Sequence, residues 1–255
     1  MSDRLPAEFE AILISKSNYR DNDLIVRLLT PALGQVSAIA RSARASRRRF
    51  GGALDYGNKL SATLRRGRGN SALWHLDEVR LTDGRSSART DLRRLTLMGY
   101  VCEAAAALAR SDQPEPRLYG LLDVACLLIE AAPTPPEALF RMAFEAKALT
   151  FAGLTPSLTR CVECTEPLQA PPGPPYTYDP HRGGALHDQC DTEGSRRVSE
   201  RWLSAMEAAR RTPLKDLLRA RPPGGPQWAF AETIEAHAES SLRSRSVLAS
   251  LHPHG

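Results

Sequence analysis

From Phe9 to Val79 hydrophobic and polar positions alternate with a period of two, in short runs broken by turn-forming residues. Phe9, Ala11 and Leu13 alternate with Glu10, Ile12 and Ile14, which predicts a first strand. Residues 23–29 read Asp-Leu-Ile-Val-Arg-Leu-Leu and predict a second, more fully buried strand; Gln35–Ala40 predicts a third, entered from Gly34. Lys59–Arg66 alternates Leu60, Ala62 and Leu64, and Ala72–Val79 carries Leu73, Trp74 and Leu76, with Gly67-Arg68-Gly69-Asn70 as the turn between them. Five short strands in about seventy residues predict a small Greek-key barrel of oligonucleotide-binding type, a fold that does not by itself assign function.

After Leu81-Thr82-Asp83-Gly84 the period becomes helical. Leu92, Leu95, Met98, Cys102 and Ala105 form one stripe, Leu118, Leu121, Leu122, Ala125 and Ile129 a second, and Leu139, Phe140, Ala143, Ala146 and Leu149 a third. Prolines 114, 116, 133, 135 and 136 separate them. Further on, Ser199 is placed to cap a helix bearing Trp202, Leu203 and Met206. Thr212-Pro213 can start another with Leu214, Leu217 and Leu218, and an amphipathic segment runs from about Trp228 to Leu248. Residues 251–255 read as a frayed tail. The fold class is therefore α+β, a five-stranded barrel followed by a helical domain. Expected boundaries are 1–82 for the barrel, 83–158 and 197–255 for the two parts of the helical domain, and 159–196 for an insertion between them.

That insertion carries the sharpest chemistry. Cys161-Val162-Glu163-Cys164 and His187-Asp188-Gln189-Cys190 are two pairs with two residues between ligands, a spacing that lets a turn aim both side chains at one ion. A closed shell of four leaves no position for a catalytic water, so the favoured ligand is a structural zinc held by Cys161, Cys164, His187 and Cys190. His181 competes with His187, and the loop from Thr165 to Leu186, stiffened by Pro171-Pro172-Gly173-Pro174-Pro175, is longer than usual for a zinc ribbon. The bland alternative is a set of reduced, unliganded thiols. Cys102 and Cys126 sit in apolar helical stripes and read as core residues rather than partners in a disulfide framework.

Composition sharpens this picture in one respect. The 255 residues carry a net charge of +5, but residues 1–90 hold sixteen Lys or Arg against nine Asp or Glu, and residues 91–255 eighteen against twenty. The basic excess is thus N-terminal, which points to a polyanion-binding module joined to a neutral or acidic one. Arg41, Arg44, Arg47, Arg48 and Arg49 fall between Ala40 and Phe50, and Arg65, Arg66 and Arg68 lie at the turn before the fifth strand. If the barrel brings both segments to one face, guanidinium groups can meet phosphates while Phe50 or Trp74 offers a ring for base stacking. The alternative is a solvated loop that keeps the protein soluble. The first residues carry no apolar leader, and no run approaches the roughly 20 apolar residues of a membrane span, so a soluble cytoplasmic protein is expected.

The residues that carry this reading also resemble a known family. The run from Ala11 to Ile14, Asp21-Asn22-Asp23 into Leu24–Thr30, Gly34, Ala40-Arg41-Ser42-Ala43-Arg44 and Phe50-Gly51-Gly52-Ala53-Leu54 is similar to the N-terminal domain of the RecO recombination mediators. Lys147-Ala148-Leu149, Ala152-Gly153-Leu154-Thr155-Pro156, the Cys161–Cys164 pair and Gly183-Gly184 resemble the second half of the same family. The resemblance implies an oligonucleotide-binding barrel, a helical body and a four-cysteine zinc finger inserted between helices. It implies a non-enzymatic DNA-repair role in the RecF pathway: binding single- and double-stranded DNA, annealing complementary strands, engaging single-stranded-DNA-binding protein and RecR, and helping to load RecA onto gaps, with the arginines above facing DNA in a nucleoid-associated protein. The chain departs from the family pattern at His187, where cysteine is common, and at Ser42, where glycine is common.

Two other classes compete. Phosphate-loop, nucleophile-elbow and His-Glu-x-x-His motifs are missing from the sequence, so an enzyme would need an open zinc site formed without His187, with Glu163 or Asp188 as general base. A zinc-containing adaptor could instead use its arginines on an acidic protein partner.

Overall fold

The computed structural model describes residues 5–67, 73–168 and 175–251. Five strands form at the N-terminus, β1 (Ala7–Asn18), β2 (Leu24–Thr30), β3 (Gly34–Ala40), β4 (Lys59–Arg65) and β5 (Trp74–Asp83), with one helical turn, α1 (Arg47–Phe50), between β3 and β4. They close into a barrel in the order β1-β2-β3-β5-β4, with β4 returning to β1. All pairings are antiparallel except β3 with β5, which meet in parallel at Ala38–Trp74 and Ile39–His75. Arg68, Gly69, Asn70 and Ala72 lie outside the described residues.

β1 closes the ring because it serves two partners in succession. Its residues 7–12 pair with β4 from Leu64 back to Lys59, and 12–18 pair with β2 from Leu29 back to Leu24. A register shift between Leu13 and Ser15 gives the bend this requires. Ala11 and Leu13 point into the barrel with Val26, Leu28, Val36 and Leu60. Ile12 and Ile14, on the opposite face, are equally buried because helix α2 (Leu92–Leu108) packs along β1, so the two-sided hydrophobicity of this strand reflects two cores.

The helix stripes hold with one correction. α2 is capped by the Asp91 carboxylate, which accepts from the Arg93 and Arg94 N–H groups. Leu92 and Leu95, expected on its core face, are 61% and 42% exposed, and the buried face is built from Leu97, Met98, Val101, Cys102, Ala105 and Leu108. The cause is Arg94, whose guanidinium donates to the carbonyls of Ile129 (2.8 Å) and Glu130 at the C-terminal end of α3 (Pro116–Ala131). A cation there satisfies orphan carbonyls and turns the leucines on either side of it outward. Gly34, at φ +64°, lets the β2–β3 hairpin abut the chain that links these helices: a Cβ would sit 2.2 Å from the Gln113 carbonyl oxygen. Arg85, buried, joins Asp123 of α3, which also holds Lys59 of β4 at 2.8 Å.

Contacts divide the chain into two compact units, Met1–Ala131 and Ala132–Gly255. The first contains the barrel with α2 and α3. In the second, α4 (Ala138–Phe151) is followed by three short strands, β6 (Tyr176–Asp179), β7 (Gly184–His187) and β8 (Arg196–Val198), then α5 (Glu200–Arg211), α6 (Ala229–Ala238) and α7 (Arg243–Ser250). The strands form an antiparallel sheet in the order β7-β6-β8. The span expected as a long loop therefore holds a hairpin; Pro171 to Pro174 lie outside the described residues. Tyr178, Trp202 and Phe230 pack ring to ring with centroids 5.8–5.9 Å apart and join β6 to α5 and α6. Ser199 caps α5 as expected, accepting from the Trp202 N–H.

Two helical expectations change. Thr212-Pro213 opens only a 3-10 turn, Leu214–Leu217, because the prolines at 222, 223 and 226 close off continuation. The Trp228–Leu248 segment breaks into α6 and α7 at Glu239, which adopts φ 49°, while the Glu235 carboxylate accepts from the Leu242 N–H and fixes the break. Of the expected frayed tail, residues 252–255 lie outside the described residues. Among the described residues no helix is long and apolar enough to cross a membrane.

Candidate metal centre and nucleic-acid interface

The four ligands expected from the two pairs come together. The Cys161–Cys164 segment forms a tight turn closed by the Thr165 N–H donating to the Cys161 carbonyl, and the Val162 N–H donates to the Ala185 carbonyl, which ties the turn to β7. β7 delivers His187 at its last position, and a 3-10 turn over Asp188–Cys190 brings the last cysteine round. Gly184 makes the approach possible: a Cβ there would lie 2.4 Å from Val162 Cγ1. The ligand atoms of Cys161, Cys164, His187 and Cys190 all lie within 4.8 Å of one another, and Cys164 Sγ is 3.4 Å from His187 Nδ1. His181 is not in this group; it sits in the β6–β7 turn, where its N–H donates to Asp179.

The donors suit a soft cation. A tetrahedral zinc with Zn–S of about 2.3 Å and Zn–N of about 2.0–2.1 Å needs ligand atoms about 3.5–3.8 Å apart, which the Cys164–His187 distance matches closely. Burial pushes the Cys161 thiol up, but the main-chain N–H groups of Cys164, His187 and Glu163 directed at its sulfur outweigh this and bring it down to about 6. A sulfur so surrounded is ready to ligate as thiolate. Cys190 is pushed up to about 11 by burial and by the neighbouring sulfurs of Cys164 and Cys161, the crowding of thiols that a cation relieves. Glu163 is held by Arg182 at 2.6 Å, and Arg182 reaches on to Asp179.

The basic residues divide into two groups. Arg41, Arg44 and Arg48 are exposed in the segment that leaves β3 at Ala40. Arg49 is half-buried: it donates to the Arg41 carbonyl at 2.8 Å and lies over the Phe50 ring at 5.0 Å. Arg47 opens α1. Arg65 forms a two-pronged pair with Asp77 at 3.1 and 3.2 Å, while Arg66 stacks on Trp74 at 4.6 Å and reaches Asp112. Arg68 lies outside the described residues. The two groups separate: Arg66 reaches Asp112, next to the Ser111 that bridges Gly34 at the start of β3, whereas the 41–49 run leaves from the Ala40 end. Phe50 and Trp74 are 2% and 9% exposed, so neither offers the open face expected of a stacking ring.

At the Ala40 end the sequence reading missed several residues. The β1–β2 link, Tyr19 to Asp23, is bound to the 41–46 turn: Arg44 donates from its N–H to the Asn22 carbonyl and from Nη1 to the Asp21 carbonyl, and the Ser42 N–H donates to the Asp23 carboxylate at 2.8 Å. Beside it lies a cleft of about 420 Å³ lined by Lys16, Ser17, Asn18, Leu24, Arg44 and Tyr56. Tyr19 is 45% exposed, with Arg20 5.3 Å from its ring. The available signal was an aromatic next to arginine at an Asp-Asn-Asp turn. Ser42 holds this turn at φ 55°, a left-handed conformation that costs a non-glycine residue about 1–2 kcal/mol. Ser42→Gly is expected to stabilise the barrel unit by about 0.5–1 kcal/mol, part of the relief being offset by the greater freedom of glycine in the unfolded chain. Urea denaturation checks it, and a lower midpoint would contradict the strain argument.

Comparison with known proteins covers both halves of the chain. The family profile described as recombination protein O N terminal matches residues 1–85, and that described as recombination protein O C terminal matches residues 89–223. The DNA repair protein RecO of Anaeromyxobacter dehalogenans (strain 2CP-C) is 42% identical over 179 residues, which cover 70% of this chain and 68% of that protein. The protein of the same name from Anaeromyxobacter sp. (strain Fw109-5) is 34% identical over 259 residues, covering 99% and 98%, and that of Myxococcus xanthus 33% identical over 220 residues, covering 84% and 87%.

Proposed function

Because the chain belongs to the RecO family of DNA repair and recombination proteins, we propose that it acts without catalysis, as a mediator that binds single- and double-stranded DNA and anneals complementary strands. The observation that carries this reading is the exposed arginine segment at the Ala40 end of a closed five-stranded barrel, fixed in place by its hydrogen bonds to the β1–β2 link. Arg41, Arg44 and Arg48 present guanidinium groups to solvent there, the donor best matched to phosphate, and Arg47 and Arg49 belong to the same segment. Arg65 and Arg66 contribute less, since each already pairs with a carboxylate of its own unit, and Arg68 completes the set. Partners on this reading are DNA coated by single-stranded-DNA-binding protein, RecR, and RecA as the protein loaded, in a cytoplasmic, nucleoid-associated setting. Residues 1–82 form the DNA-binding domain, and the helical parts at 83–158 and 197–255 frame the 159–196 insertion.

In that insertion Cys161, Cys164, His187 and Cys190 would hold a structural zinc. Bound there, zinc supplies a fourfold crosslink between the Cys161–Cys164 turn and the end of β7. Metal analysis of the purified protein should find one equivalent. A hydrolytic role would need a carboxylate ready to take a proton from water, and of the two on offer Glu163 is engaged with Arg182, which leaves Asp188.

An annealing assay tests the mediator role. Complementary strands coated with single-stranded-DNA-binding protein are expected to pair faster when the protein is added, and DNA affinity should fall with salt at a log–log slope of several units. A folded protein that gives no acceleration would overturn it.

A further inference from the structure

The DNA-binding reading leaves open what distinguishes a single strand from a duplex, since phosphates are common to both. A stacking ring is the physical answer, because a base inside a duplex has both faces covered by its neighbours while an unpaired base can expose one. In the barrel unit the two rings nearest the arginines in sequence, Phe50 and Trp74, are buried and each carries an arginine on a face. Tyr19 differs. It stands exposed in the five-residue β1–β2 link, with the guanidinium of its neighbour Arg20 5.3 Å from the ring centroid, itself a planar group on which a base can stack.

The surroundings of Tyr19 are built rather than incidental. Its N–H donates to the Asp23 carbonyl at 3.1 Å, and the link it belongs to is held by the Arg44 and Ser42 hydrogen bonds. The backbone that carries Tyr19 is therefore tied to the turn that carries Arg44. The residue before Tyr19, Asn18, lines the 420 Å³ cleft together with Arg44 and Lys16, so cation and amide donors lie where the link that carries the ring begins. Lys16 is drawn to Asp55 at 2.7 Å, and Arg44 commits one N–H of its five to the Asp21 carbonyl.

Resting on the DNA-binding reading above, we propose that Tyr19 and the cleft of Lys16, Asn18, Leu24, Arg44 and Tyr56 form a subsite for one unpaired nucleotide, which makes the protein selective for single-stranded over duplex DNA. The base stacks on Tyr19, the phosphate meets Arg44, and the sugar edge faces Asn18.

The test uses the full chain, a fluorescein-labelled oligothymidylate and a duplex with the same number of phosphates, with fluorescence anisotropy over a salt series. Tyr19→Ala is expected to weaken single-strand binding about tenfold, with the salt slope unchanged and duplex affinity altered less than twofold. Tyr19→Phe should match the parent, because the ring is kept. Arg44→Ala should weaken both substrates and reduce the slope by about one. Because Tyr19 lies outside the barrel core, its truncation should leave the melting temperature unchanged. Equal losses on both substrates, or no loss on the single strand, would overturn the subsite while leaving the DNA-binding role standing. A parent protein that binds neither substrate would remove both readings.

Discussion

Cys161→Ser is expected to yield a protein that holds no zinc and is cut by protease between residues 157 and 198, while the barrel unit melts as before. Cys161 is the buried ligand, its sulfur surrounded by the N–H groups of Cys164, His187 and Glu163. Serine keeps the shape but gives up the thiolate, and three remaining ligands bind zinc far more weakly than four. Structural zinc supplies on the order of 10–16 kcal/mol of apparent binding free energy in small modules, so its loss falls directly on folding. Apart from these ligands the module leans on Tyr178, which packs against Trp202 and Phe230. Its strands are 4, 4 and 3 residues long, too short to stand alone as a sheet. Emission spectroscopy for metal content and limited proteolysis with mass mapping give the readout. Full zinc occupancy in the variant, or protease resistance equal to the parent, would contradict the shell. Barrel-borne DNA binding should survive, because the ligands and the arginines belong to different compact units.

Arg141→Met should cost the second unit about 3–5 kcal/mol, the usual penalty for removing one partner of a buried ion pair. Arg141 and Glu145 stand one turn apart on α4, 4% and 0% exposed, with Nη1 2.5 Å from the carboxylate. The same guanidinium donates to the Gln227 carbonyl at 2.8 Å and lies 3.7 Å from the centroid of the Trp228 ring, so it also joins α4 to the start of α6. Methionine fills the space but leaves the Glu145 carboxylate buried without its guanidinium. Adding Glu145→Leu should recover most of the loss, since two apolar residues of similar volume can replace a buried pair at little cost. Trp202 and Trp228 report the transition by fluorescence during urea unfolding. If the single variant unfolds within about 1 kcal/mol of the parent, the pair contributes no more than a surface bridge.

The barrel was legible because each of its strands carries a local signal. Leu60, Ala62 and Leu64 alternate cleanly, and Gly34 marks a turn that only glycine can make against the Gln113 carbonyl. The cluster of Cys161, Cys164, His187 and Cys190 was legible for a similar reason, since spacing within each pair is a property of four consecutive residues. What sequence could not give were properties decided by distant partners. Leu92 and Leu95 fit a helical stripe, and only the contact of Arg94 with the end of α3 turns them outward. Tyr176–Asp179 is too short and too polar to announce a strand, and pairing with β7 and β8 makes it one. The two arginine segments looked like one cluster because they are near in sequence, whereas Arg66 reaches Asp112, next to the Ser111 that bridges Gly34, and the 41–49 run leaves from the Ala40 end of β3. Phe50 and Trp74 were candidates by proximity to charge; the exposed ring, Tyr19, lies in a link whose shape depends on hydrogen bonds to residues twenty positions away.

The divided pairing of β1 bears on how the barrel is made. As the chain leaves the ribosome, the Asn18 half of β1 finds β2 within a few residues, but the Ala7 half must wait for Lys59–Arg65 to emerge. Through that interval the nascent protein carries an open strand edge of hydrophobic and polar residues, ending in the apolar run Ala11 to Ile14. Translation of the residues between β2 and β4, the arginine segment among them, thus sets how long that edge waits for its partner.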